Sequence, residues 1–219
     1  SKGRDDHFNI ANGADDVKAA TDYIAEARGI DKMHFYGVSS GALRAAMFAE
    51  RNPERVAKLV LDAFVWTGKG SPTLKDRAKK FATAKATDRR AIHSKFIRTI
   101  FSRDKHAKAA RPDVIKAFAE ACCELDDSVP NGTYIDMTRH LPVINPRKLT
   151  VPVLITRGEW DGIASYEDLI EFFNLLPNPD KQFAVMPGIS HASLQMKNFE
   201  IVFHLIGSYF SQPDPVFKG

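Results

Sequence analysis

Two serines between two glycines are the first residues to suggest chemistry. Gly37-Val38-Ser39-Ser40-Gly41 reads G-x-S-x-G. It lies between a short aromatic and β-branched run, Lys32 to Val38, and an Ala-rich run, Gly41 to Arg51. A strand entering and a helix leaving would put Ser39 on a tight, strained turn, with its hydroxyl projecting above a sheet. Gly37 and Gly41 are expected to remove side chains that would collide with the neighbouring strand and helix. The helix start aims free N–H groups at the same point, and the Ser40 N–H is the expected half of an oxyanion hole.

A serine hydroxyl attacks well only when a base takes its proton. Of seven histidines, His191 in MPGISHAS stands on a loop opened by Pro187-Gly188, between a short strand and the last helix. A loop at the carboxyl end of a strand can reach a nucleophile on a neighbouring strand. His34 falls within a strand, His93, His106 and His140 in the middle of the chain, His204 inside a helix and His7 near the start. The base needs an orienting carboxylate. Asp161 follows the strand Val151 to Arg157 directly and is favoured, with Glu159 and Asp62 as competitors. No pair of histidines has metal-ligand spacing with carboxylates, so neither a metal nor another cofactor is expected.

The elements that must position these groups follow from periodicity. Ala14 to Arg28 places Val17, Ala20, Ile24 and Ala27 at helical spacing, with Asp15 and Asp16 expected in its first turn. Val56 to Phe64, Val151 to Arg157 and Gln182 to Met186 read as strands. Tyr166 to Leu176 and Phe199 to Phe210 read as helices. Strands alternating with helices imply an α/β fold with a parallel sheet. Residues 67–147 read almost wholly as helix and turn. Between Trp66 and Lys116 fifteen Lys or Arg stand against four Asp or Glu. Such a bias fits solvated helix faces, or a positive lid that attracts anionic substrates.

Composition narrows the class. A chain of 219 residues, 44% hydrophobic and 26% charged, is an ordinary globular sequence. No apolar run approaches the roughly 18 residues of a membrane helix. Net charge is only +4, and aromatics are not interleaved with the basic residues, so neither nucleic acid nor membrane is expected as a partner. Cys122 and Cys123 are adjacent, a spacing that strains a disulfide. They read as reduced thiols, which suits a cytoplasmic setting.

The chain order Ser39, Asp161, His191 resembles that of the α/β-hydrolase family. The gaps of 122 and 30 residues resemble those of members with an inserted helical cap. The resemblance implies a hydrolase core of residues 1–66 and 148–219, with 67–147 as the cap. It also implies a serine nucleophile, unlike the dehalogenases and epoxide hydrolases of the fold, which attack with Asp.

The family's first four strands have no counterpart ahead of the first helix. The expectation is that these residues form the carboxyl-terminal part of a longer protein, its missing N-terminal segment possibly a separate chain. That segment would supply the second oxyanion N–H.

The expected function is hydrolysis of a small-molecule carboxylic ester through Ser39, His191 and Asp161. Amide or peptide hydrolysis, carbon–carbon cleavage, and a non-catalytic small-molecule receptor are the alternatives. Trp66 and Trp160 are candidates to line the substrate pocket, or else to pack in the core.

Overall fold

The computed structural model describes residues 8–102 and 104–217. Four strands form a parallel sheet in the order β1 (Met33–Val38), β2 (Val56–Asp62), β5 (Val153–Gly158), β6 (Lys181–Met186). Helix α1 (Ile10–Arg28) precedes β1, α2 (Ser40–Arg51) follows β1, α7 (Tyr166–Leu175) lies between β5 and β6, and α8 (Phe199–Ser211) follows β6.

The strands are buried on both faces, which is why they read as near-continuous apolar runs. Alternate residues serve different helices. Leu59, Leu61, Val153 and Ile155 pack with Ala42, Leu43 and Ala46 of α2, Ile10 and Ala14 of α1, and Leu169 and Phe172 of α7. Val60 and Leu154 face the other way, against Tyr209, Ile206 and Phe210 of α8. The registers Val38↔Asp62 and Asp62↔Thr156 bring the carboxyl ends of β1, β2 and β5 into one row.

Helix α1 begins earlier than its apolar spacing indicates. Asn9 caps it by accepting the Asn12 N–H at 2.9 Å, and Asn12 accepts the Asn9 N–H in return. This reciprocal box displaces Asp15 and Asp16 from the first turn, which holds no acid. Asp136 accepts the Ile10 N–H at 2.8 Å and ties the helix start to the middle segment.

Residues 67–147 hold α3 (Pro72–Lys80), α4 (Ser94–Ser102), α5 (Pro112–Leu125) and the short α6 (Gly132–Ile135). They also hold an antiparallel ribbon, β3 (Arg89–Ala91) with β4 (Ser128–Pro130), a small exception in a segment expected to be almost wholly helix and turn. Three-residue strands carry no period to read. The Arg89 side chain pins the pair by donating to the Ser128 hydroxyl at 3.0 Å and carbonyl at 2.8 Å. Phe101 of α4 meets Phe118 of α5 edge-on, and Phe101 joins Met186, Ile189, Met196 and Val202 in a second core. That cluster seats the middle segment at the carboxyl end of β6.

Candidate active site

Ser39 turns the chain from β1 into α2 with φ 55° and ψ −122°. A non-glycine residue at positive φ is strained, and here neighbouring elements impose the strain. The Ser39 N–H donates to the Asp62 carbonyl at 2.8 Å, continuing the sheet through the turn. A Cβ on Gly37 would come within 2.6 Å of the Ala42 Cα and the Gly41 carbonyl oxygen. Only glycine lets strand and helix approach so closely. The expectation for Gly41 does not hold, because a Cβ there meets nothing within 4 Å. The Ser40 N–H opens α2, where amides have no partner within the helix.

The loop after β6 brings His191 Nε2 to 3.0 Å from Ser39 Oγ. His191 Nδ1 lies 3.0 Å from Asp161 Oδ2 and 3.2 Å from Oδ1. A carboxylate at Nδ1 holds the proton there and leaves Nε2 free to accept from the serine. Asp161 is 4% exposed, and its Oδ1 also accepts the N–H groups of Ile163 at 2.8 Å and Ala164 at 3.1 Å. Burial alone would push the Asp161 carboxyl up. The charge and hydrogen bond of His191, with the two N–H groups, outweigh it and hold the acid below its ordinary value.

A family model described as serine aminopeptidase, S33, matches residues 2–197. The chain belongs to this family. It is a member of the α/β-hydrolase serine hydrolases. Solved structures of the same fold include a monoacylglycerol lipase from Paleococcus ferrophilus, at TM-score 0.68 and 17% identity, covering 94% of this chain and 77% of that one. A thermophilic esterase from Thermogutta terrifontis superposes at TM-score 0.67 and 18% identity, covering 94% and 74%. A soluble variant of the monoglyceride lipase from Saccharomyces cerevisiae does so at 0.66 and 16%, covering 96% and 71%. No curated protein is similar enough in sequence to count as a match.

In this S33-family chain the two competing acids are occupied elsewhere. Glu159 accepts the Gly188 N–H at 2.8 Å and so braces the Pro187-Gly188 turn. Asp62 lies fully buried at the end of β2, its carboxyl group accepting the hydroxyls of Tyr36 at 2.9 Å, Thr156 at 2.9 Å and Ser193. Burial pushes this carboxyl up. The three hydroxyls pull it back, the Asp161 charge adds to the push, and the net displacement is upward. Trp66 packs edge-on against Phe172 and donates its indole N–H to the Ile144 carbonyl at 3.2 Å. Trp160, half-buried beside Asp161, stacks on His106 with ring centres 3.9 Å apart.

Several residues that shape the site carry no motif. A Cβ on Gly158 would fall 2.5 Å from the Ile189 carbonyl oxygen, so this glycine lets the Asp161 and His191 loops touch. Trp160 N–H donates to that carbonyl at 3.0 Å. Arg157 donates to the carbonyls of Ala164, Gly158, Glu159 and Asp161 and knits the acid loop into one unit. Asp104 of the middle segment accepts the His191 N–H at 3.2 Å. The only advance signal for Arg157 and Gly158 was their place at a strand end. Asp104 had none.

Among the described residues no cluster of His, Cys, Asp or Glu is arranged to hold a metal ion, and no helix is long and apolar enough to cross a membrane.

Proposed function

We propose that this chain hydrolyses carboxylic esters of small molecules, with Ser39 as nucleophile, His191 as base and Asp161 as the orienting acid. The observation that carries the reading is the pair of 3.0 Å contacts on opposite nitrogens of one buried imidazole.

In this mechanism Ser39 Oγ attacks the ester carbonyl as its proton passes to His191 Nε2. Asp161 stabilises the imidazolium and stays ionised. The Ser40 N–H donates to the developing oxyanion. The imidazolium then protonates the departing alkoxide, leaving an acyl group on Ser39. Water, deprotonated by His191, attacks that acyl group and releases the acid and the free serine. Residues 67–147 act as a cap that screens these steps from bulk water. Trp160 borders the substrate beside Asp161, whereas Trp66 packs in the core against Phe172.

The family description favours a second reading, amide hydrolysis at an amino terminus. Both uses share the acyl-enzyme and differ in leaving group. A panel of short p-nitrophenyl esters and aminoacyl p-nitroanilides separates them. Ester turnover that disappears in Ser39→Ala supports the proposal. Turnover of anilides alone would replace it with the second reading, and ligand binding without any turnover would overturn both.

A further inference from the structure

We infer that Asp62 is a positioning residue for His191: its buried carboxyl group ties the loop carrying the imidazole to the carboxyl end of the sheet. The inference rests on reading His191 as the base.

Asp62 ends β2, the strand between those leading to Ser39 and Asp161. Its main chain and side chain reach all three site segments. The carbonyl accepts the Ser39 N–H at 2.8 Å. Oδ1 accepts the Thr156 hydroxyl at 2.9 Å, on the strand that runs on to Asp161. Oδ2 accepts the hydroxyls of Tyr36 on β1 and of Ser193, two residues beyond His191. Ser193 is itself buried. Within the loop itself the Ser190 hydroxyl donates to the Met196 sulfur at 3.4 Å, so the Ser193 tether acts on a segment that is braced internally.

Two simpler roles fit less well. Asp62 as the orienting acid would need an oxygen at Nδ1, yet both Asp161 oxygens are there and those of Asp62 already receive three hydroxyls. Asp62 as mere core volume would be met by leucine, but leucine would remove the acceptor shared by three hydroxyls and leave that of buried Thr156 without its Asp62 partner. A chain that retains a fully buried carboxyl there gains a fixed loop. Small displacements of a base matter, since a shift of about 1 Å costs up to about a hundredfold in rate.

The test compares wild type, Ser193→Ala, Asp62→Asn and the double variant. Turnover of a p-nitrophenyl ester is read alongside the downfield proton resonance of the His191 Nδ1–H bonded to Asp161. That resonance reports the imidazole's placement whether or not an ester is cleaved. Ser193→Ala is expected to lower kcat about tenfold, leave KM within about twofold, and broaden the resonance. The double variant should lose no more than the worse single one, because both remove the same tether. Wild-type kcat and resonance in Ser193→Ala would overturn the inference, as would losses that multiply in the double variant. Should Asp62→Asn fail to fold, Ser193→Ala decides alone. A wild type that cleaves no ester, with a resonance still sensitive to Ser193→Ala, sinks the ester reading and leaves the positioning role standing.

Discussion

Two aspartates buried beside the candidate site, Asp62 and Asp161, carry opposite pH signatures. Asp161 is held below the ordinary carboxylate value and Asp62 above it. Asp161 therefore contributes stability that is present above the unfolded value, about 3.9, and lost as pH falls through the lower folded value. Asp62 binds its proton more tightly when folded, so its contribution favours the folded state at acid pH and declines as pH rises above about 3.9. Urea unfolding from about pH 3 to about pH 7 should show this. The stability of wild type relative to Asp161→Asn grows with pH, and that relative to Asp62→Asn shrinks. Equal slopes would contradict the electrostatics described for Tyr36, Thr156, Ser193 and Asp161 around Asp62. The meeting of Ser39 and His191 was legible from the sequence because a strand-to-helix serine turn and a loop histidine carry local signals. Asp62 was visible only as a rival acid. Its hydroxyl partners come from positions 36, 156 and 193, and no local pattern joins them.

Elements place these side chains through backbone approach more than through side-chain contact. Gly37 admits α2 against β1, and Gly158 admits the histidine loop against the acid loop. Gly158→Ala forces a Cβ onto two carbonyl oxygens, of Ile189 and Ser190. It should cost about 1–3 kcal/mol and lower kcat by moving His191 away from Asp161. Unfolding curves and ester turnover measure both, and a variant as stable and active as wild type would show that the loops are held apart by other contacts. The strands and main helices were readable from apolar period. The ribbon of β3 and β4 was not, because its pairing depends on an arginine reaching across about forty residues of sequence to Ser128. The start of α1 was missed for a related reason, since an Asn-to-Asn capping box replaces the commoner Ser or Thr with Glu.

At the scale of the whole molecule, the middle segment is fastened to the sheet at points next to the candidate site. Asp168 of α7, almost fully buried, accepts the N–H groups of Trp66, Thr67 and Gly68, where the chain leaves the β2 region. Asp104 meets His191, His106 covers Trp160, and the Ala109 carbonyl accepts the Lys197 N–H at 2.8 Å. These contacts tie the middle segment to the loops that carry Asp161 and His191. All of this has a function only if Ser39 is a reactive nucleophile. Intact-mass and peptide mapping after treatment with a fluorophosphonate is the most direct measurement. One adduct on Ser39, abolished in Ser39→Ala and slowed strongly in His191→Ala, is the predicted result. An unlabelled Ser39 in folded protein, or labelling at the same rate without His191, would contradict it.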